Sequence, residues 1–345
     1  MAKKNEKLNY PALIRELAET GPARIYILSG PEDYLRELFL KEIKKQCLTG
    51  VEDDFNYHRM DGPSLDMSAF ADALDVLPFA APRTLIEIRG FDVNRCRDAE
   101  ADRLNAILAD VPDYATVVFV QNADYEVDWR LKAAKSIKKH GQAVNFASQD
   151  QKQLLPWIRR RFLALGKTIA PDAAMQLIYM SGELMSGLIP EIEKIALSVE
   201  ADTITADDVA RYAHSIPEAR VFDMTDCLAA KDYDGAARLL AELTASGEEP
   251  VKTVAIIGGQ MRRLYAARLA IEEKLGSAYV GEVCGIGYEF IIKKLMAAAR
   301  GFTLPQLQRA VRLCAETDYA MKSSSAGDSE LLKDLFVKLA VGETE

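Results

Sequence analysis

The feature that most constrains the fold is a mostly apolar segment that runs into a glycine and then into a helix. Ala23–Ser29 predicts a buried β-strand, and Gly30 follows it directly. The next residues carry apolar side chains at helical spacing, at Leu35, Leu38, Phe39, Leu40 and Ile43. A strand, a glycine loop and a helix in this order are the framework of a phosphate-binding loop.

The residues that would bind phosphate are missing from this loop. The motif G-x-x-x-x-G-K-[ST] needs a second glycine, a lysine for the outer phosphates and a hydroxyl for magnesium. Those positions, counted from Gly30, hold Leu35, Arg36 and Glu37. The loop also carries Glu32 and Asp33, whose carboxylates would repel a phosphate. We therefore predict a degenerate loop that does not bind ATP.

Composition and charge exclude several classes of protein. The formal net charge is −9, which argues against a protein that coats nucleic acid by bulk electrostatics. The five cysteines contain no C-x-x-C pair, a pattern typical of free thiols in a reducing cytoplasm. Neither a signal sequence nor an apolar segment long enough to cross a bilayer is found. We expect a soluble cytoplasmic protein without a membrane partner.

Catalytic and metal-binding patterns are also missing from the sequence. The three histidines have no nucleophile at a recognisable spacing, and no H-E-x-x-H, G-x-S-x-G or acidic metal cluster occurs. Gly166-Lys167-Thr168 resembles the end of a phosphate-binding motif, but a helical pattern precedes it and Arg161 occupies the first glycine position. Gly166 is better explained as a helix C-cap. We predict no catalytic residues, no metal and no cofactor.

Short β-rich segments alternate with helical patterns over about the first 146 residues. The predicted strands are Arg24–Ser29, Phe55–Met60, Arg83–Ile88, Thr116–Gln121 and Ala143–Phe146. This alternation indicates a parallel sheet covered by helices, the α/β class. After Ser148 the pattern is helical, with Thr205 as an N-cap and a break near 215–217.

The length of the chain indicates more than one domain. Its 345 residues exceed the size at which single cores stop growing. The predicted domains are an α/β domain at 1–147, a small helical bundle at 148–214 and a larger helical domain at 215–345.

A short segment in the α/β domain combines exposed apolar residues with two prolines. A helix that carries Phe70, Leu74 and Leu77 must stop near Leu77, because Pro78 disfavours the helical conformation of the residue before it. Leu77 and Phe79 would then form a stiff apolar wedge of the kind that fills a partner's pocket at low entropic cost. From spacing alone, the more frequent outcome is that both side chains turn back into their own domain.

Several segments along the chain share the order and spacing of one protein family. They are Tyr26–Leu35, Leu77–Phe79 with Arg83–Ile86, Glu191–Ala196, Val221–Met224, Gly247–Pro250 with Gln260–Leu264, and Thr317–Lys322. Together they resemble the delta subunit of the bacterial DNA polymerase III clamp loader over nearly the whole length. In this chain Pro78 separates the two hydrophobic residues of the wedge, whereas some members of that family have them adjacent.

The resemblance implies an AAA+-like first domain, a helical lid at 148–214 and a helical collar at 215–345. It implies a subunit that hydrolyses nothing and that opens the beta sliding clamp for loading on primed DNA during replication. The implied clamp-binding residues are Leu74, Leu77, Pro78 and Phe79. Met261, Arg262 and Arg263 match a collar helix, in a ring with the delta-prime and tau or gamma subunits. As a holoenzyme component, the family falls under DNA-directed DNA polymerase, a nucleotidyltransferase.

Two alternative functions are disfavoured by the residues present. An AAA+-like ATPase with an atypical loop is disfavoured by the missing lysine and hydroxyl. A helical scaffold that binds DNA directly is disfavoured by the net charge of −9. The run Arg159–Arg161 points to different faces of a helix, and acidic residues close to Lys41 and Lys45 compensate their charge.

Overall fold

The structure is a computed structural model that describes residues 9–48, 55–323 and 327–341. The chain divides into two compact units. The first covers residues 1–149 together with Leu184–Ser186, and the second covers Asp150–Glu183 and the residues from Gly187 onward.

The first unit contains a parallel sheet and helices, as the sequence predicts. Its strands are β1 (Ile25–Ser29), β2 (Tyr57–Asp61), β3 (Thr84–Arg89), β4 (Ala115–Val120) and β5 (Gln142–Asn145). Its helices are α1 (Tyr10–Thr20), α2 (Asp33–Leu48), a 3-10 turn (Gly62–Ser64), α3 (Met67–Leu74), α4 (Asp98–Ala109) and α5 (Lys132–His140). Each predicted strand is confirmed to within one or two residues.

The five strands are parallel and lie in the order β2-β3-β4-β1-β5. Successive residues of β1 point to opposite faces of the sheet. Ile25 and Ile27 belong to a core cluster that includes residues of α3, α4 and α5, whereas Tyr26 packs edge-on against Phe39 of α2 at 5.8 Å between ring centroids. Because both faces are covered, β1 and β4 are buried along their whole length.

The second unit is almost wholly helical. Its first elements are α6 (Gln151–Ala164), β6 (Thr168–Ile169), α7 (Pro171–Ser181), α8 (Met185–Ser198, whose first two residues group with the first unit), β7 (Thr203–Ile204) and α9 (Ala206–Tyr212). The remaining helices are α10 (Pro217–Ala229), α11 (Tyr233–Ala245), α12 (Pro250–Glu272), α13 (Ser277–Cys284), α14 (Glu289–Ala299), α15 (Leu304–Ser323) and α16 (Asp328–Val341).

Local sequence signals set several of these helix ends. Thr205 caps α9, and its hydroxyl accepts a hydrogen bond from the Asp208 amide while the Asp208 carboxylate accepts one from the Thr205 amide. Gly166 follows the end of α6 with φ +76°, the left-handed conformation expected after a helix. The Lys167 ammonium donates to the carbonyls of Glu200 and Ala201. The resemblance of this segment to a phosphate-binding motif is therefore superficial, as predicted.

Two features of the second unit were not predicted. The strands β6 and β7 form a small parallel sheet in a region predicted to contain helices and turns. In addition, Lys294 of α14 lies 2.7 Å from both the Tyr179 hydroxyl of α7 and Asp223 of α10. This contact joins residues on both sides of the boundary predicted at 214/215. That boundary stays a prediction.

Candidate functional site

The loop that follows β1 is closed by hydrogen bonds to the segment after β5. The Glu32 amide donates to the Phe146 carbonyl at 2.9 Å, and the Phe146 amide donates to the Ser29 carbonyl at 2.7 Å. Gly30 has φ +105°, and a Cβ atom there would lie 2.5 Å from the Phe146 carbonyl oxygen. A phosphate-binding loop needs its backbone amides free. Here the Glu32 amide already donates to Phe146. The close contact with Phe146 is also enough to explain a glycine at position 30, so no bound phosphate is needed to explain it.

The side chains at the motif positions are also engaged within the protein. Arg36, at the lysine position, is 5% exposed, and its Nη1 donates to the Gly30 carbonyl at 2.6 Å. Burial lowers the pKa of this guanidinium. Glu37, at the hydroxyl position, accepts hydrogen bonds of 2.8 and 2.9 Å from Arg89. Leu35, at the second glycine position, is buried. These contacts support the prediction of a degenerate loop.

Glu32 lies in the interior of the first unit. Its side chain is fully buried, and its Oε2 accepts a hydrogen bond of 3.2 Å from the Met185 amide. Its Oε1 is buried without a hydrogen-bond partner in the described part of the chain. Burial raises the pKa of Glu32 to about 7, although the Met185 hydrogen bond opposes this shift. A carboxyl group thus lies where a nucleotide-binding loop would admit phosphate.

We expect Glu32→Gln to stabilise the protein at pH 8 and to have little effect below about pH 4.5. The pKa of this carboxyl is about 7 in the folded chain and 4.5 when unperturbed. The unfolded chain therefore binds fewer protons between these values, so stability falls as the pH rises through this window. The gain above it is at most about 3 kcal/mol.

Urea unfolding at pH 4.5 and pH 8 measures this pH dependence. Glu16→Gln is the matched control, because it removes one exposed carboxylate from α1 of the same unit. An equal effect of Glu32→Gln at both pH values would contradict the burial of a charged group in the loop.

The apolar wedge projects from the first unit between α3 and β3. We call Val76–Ala81 the tip. Helix α3 ends at Leu74 and is followed by Asp75. Leu77 is 69% exposed and Phe79 is 71% exposed, so neither side chain turns back into the core. Large exposed apolar side chains that lie together are typical of protein-binding surfaces.

The tip and the nucleotide-type loop lie at opposite ends of the strands of the sheet. The loop leaves the carboxyl end of β1, whereas the tip leads into the amino end of β3. Because all five strands are parallel, their amino ends lie on one side of the sheet and their carboxyl ends on the opposite side. The tip and the degenerate loop are therefore separated by the length of the strands.

One of the clamp-binding residues implied by the resemblance lies inside the core of the first unit. Leu74 is only 4% exposed and belongs to the core cluster with Phe70. It packs inside the domain because it lies on the last turn of α3, on the face that points toward the sheet. Two exposed apolar residues at the amino ends of the strands were not predicted, namely Val76 in the tip and Phe55 before β2.

The other predicted site residues lie apart from the tip. Met261 is buried within the second unit, while Arg262 and Arg263 on the same helix are exposed. Lys44, which lies between Lys41 and Lys45 on α2, binds the buried carboxylate of Glu87 at 2.8 Å and the Tyr57 hydroxyl at 2.7 Å. That lysine is used inside the domain.

Within residues 9–48, 55–323 and 327–341, no group of three or more His, Cys, Asp or Glu side chains could hold a metal ion. Within the same ranges no helix has the length and apolar character needed to span a lipid bilayer.

A parallel α/β domain with these loop contacts, followed by helices, defines an AAA+-like protein whose nucleotide-type loop is engaged by its own side chains. The sequence matches two family descriptions. Residues 26–147 match "DNA polymerase III, delta subunit", and residues 218–339 match "DNA polymerase III delta subunit, C-terminal domain". The chain belongs to the DNA polymerase III delta subunit family, which confirms the resemblance predicted from the sequence.

Individual relatives agree with this assignment. The chain is 26% identical over 321 residues to the DNA polymerase III subunit delta of Bacillus subtilis, covering 91% of each sequence. It is 23% identical over 321 residues to a probable DNA polymerase III subunit delta of Aquifex aeolicus, covering 90% of this chain and 89% of that one.

A solved structure supports the fold. The Bacillus subtilis DNA clamp loader delta protein matches with a TM-score of 0.55 and 21% identity, over 96% of this chain and 99% of that one. At this identity the structural match shows the fold, and it confirms the predicted α/β domain followed by helices.

Proposed function

We propose that this chain is the clamp-loader subunit that binds the beta sliding clamp and opens it for loading on primed DNA. The observation that carries this proposal is the tip, where Leu77 and Phe79 are each about 70% exposed on either side of Pro78. Two large apolar side chains on a proline-stiffened loop have the form of an anchor for a hydrophobic pocket. Family membership supports the clamp as the partner that supplies this pocket.

Opening a ring requires differential binding. A ligand that binds the open and closed rings equally cannot change their ratio, so the chain must bind the open clamp more tightly. The anchor contributes binding free energy to the complexes with both the open and the closed clamp. The rigid domain behind it, in which strands β1 and β4 are buried along their whole length, supplies a shape that fits only one of them.

The chemical energy of loading would come from other subunits. The degenerate loop has its Glu32 amide, Arg36 and Glu37 committed to internal contacts, which supports a subunit that does not hydrolyse ATP. We propose that the helical region at 215–345 joins a ring with delta-prime and tau or gamma subunits. In this arrangement Arg262 and Arg263 are candidate contacts on the exposed face of α12, and buried Met261 supports that helix from within.

We predict that this chain alone releases clamps from DNA without ATP. Because a closed ring can leave circular DNA only by opening, the release rate measures opening directly. Clamps from the same organism are loaded on nicked circular DNA and freed of loader by gel filtration. The chain is then added without nucleotide, and we expect release at least about 10-fold faster than the spontaneous rate. Release that depends on ATP, or an unchanged rate, would contradict the proposal.

A further inference from the structure

The side chain of a buried asparagine binds the tip to the rest of its domain. Asn56 is fully buried, just before β2. Its Nδ2 donates to the Phe79 carbonyl at 2.7 Å, and its Oδ1 accepts from the Phe79 amide at 2.7 Å. The Asn56 carbonyl accepts from the Leu85 amide at 2.7 Å, which fixes Asn56 to the start of β3. One amide side chain therefore holds both backbone groups of an anchor residue.

A second buried side chain holds the other end of the tip. The Thr84 hydroxyl donates to the Val76 carbonyl at 2.8 Å, and Thr84 is fully buried in β3. The Val76 contact precedes Leu77, and the Asn56 contacts lie at Phe79 itself. Hydrogen bonds to two buried side chains thus hold the backbone just before Leu77 and at Phe79.

The conformation that these bonds hold is one that a free loop would rarely adopt. Ala80, directly after Phe79, has φ +56°, in the left-handed region that non-glycine residues seldom occupy. Without the ties to Asn56 and Thr84, the tip would therefore spend much of its time in other conformations. A protein that populates its binding-competent conformation only in part has an apparent affinity reduced by that fraction.

We propose that Asn56 is a positioning residue for clamp binding, which acts by holding Phe79 in the binding-competent conformation of the tip. This inference rests on the proposed function. Asn56 is buried and does not itself form part of the exposed surface. Its role requires a donor and an acceptor on one short planar side chain, which is the chemistry of asparagine. Aspartate would keep the acceptor but would place a carboxylate against the Phe79 carbonyl.

The test compares clamp affinity and tip order in Asn56→Ala and Asn56→Asp. We expect both variants to bind the clamp about 10-fold more weakly by surface plasmon resonance. We also expect the Phe79 amide hydrogen to exchange about 10-fold faster by NMR in each variant without any clamp present. The exchange measurement reports on the tip whether or not the clamp is the partner.

Gln121→Ala is the matched control. Gln121 is another buried amide of the same unit, and its Nε2 donates to the Phe91 carbonyl at 3.1 Å, away from the tip. It is expected to lose stability while keeping clamp affinity. If Asn56→Ala does not fold, the isosteric Thr84→Val, which removes the tie at Val76, takes its place and is expected to weaken clamp binding in the same way.

The outcomes separate this inference from the proposed function. Clamp binding by the unchanged protein, with equal binding by the Asn56 or Thr84 variants, would overturn the positioning role and leave clamp binding intact. Equal weakening by Gln121→Ala would also overturn it, because the loss would then follow from stability alone. No clamp binding by the unchanged protein would overturn both.

Discussion

Replacing Leu77 and Phe79 together by alanine is expected to weaken clamp binding by at least about 100-fold, measured by surface plasmon resonance. Anchor residues that fill a partner's pocket each contribute about 2 kcal/mol or more to binding, and 1.4 kcal/mol is a factor of ten. Both side chains are about 70% exposed. Their removal takes little from the core, so the free energy of unfolding should change by less than about 0.5 kcal/mol.

A control variant shows whether the loss is specific to the tip. Leu197 is an even more exposed leucine, at 88%, and it lies on α8 in the second unit. Leu197→Ala removes a similar apolar surface away from the tip and is expected to leave clamp affinity unchanged. Unchanged affinity in the Leu77 and Phe79 double variant would move the clamp contact to another surface of the chain.

Gly30→Ala is expected to destabilise the first unit by about 3 kcal/mol or more. The backbone there has φ +105°, which strains any residue with a side chain. The added Cβ would also lie 2.5 Å from the Phe146 carbonyl oxygen and 2.5 Å from Asn145 Oδ1. Backbone atoms of a packed loop cannot yield cheaply, so the clash adds to the strain. Urea unfolding, with and without ATP and magnesium, measures the loss.

Gly21→Ala is the matched control for this substitution. Gly21 follows α1 in the same unit with φ +73°, and a Cβ there would meet nothing within 4 Å. Its expected cost is only the backbone strain, about 1 kcal/mol. Equal losses in the two variants would show that Gly30 is not needed for the close contact with Phe146. That result would reopen the question of why a glycine follows β1.

The sequence predicted the fold well because its signals were local. The five strands were found from apolar runs, and Thr205 was found from its position before a helical pattern. Gly30 was correctly placed at the end of β1. The reason that a glycine is needed there was not predictable, because the carbonyl that crowds it belongs to Phe146, more than a hundred residues away.

The candidate site was predicted in part. Leu77 and Phe79 followed from the prolines and from the family resemblance, and the structure places both on the surface. Leu74 was grouped with them through the family resemblance, and the spacing of Phe70, Leu74 and Leu77 on one helix did not show that Leu74 points into the core. Asn56 was missed because its hydrogen bonds to Phe79 span 23 residues of sequence. An asparagine before a strand carries no local signal of such a contact.

The affinity of the unchanged chain for the clamp, measured by surface plasmon resonance with and without ATP and magnesium, tests most directly whether this protein acts by holding another protein. We predict saturable binding that is equal in both buffers and is lost in the Leu77 and Phe79 double variant. Binding that appears only with nucleotide, or that persists when both anchor side chains are removed, would contradict this prediction.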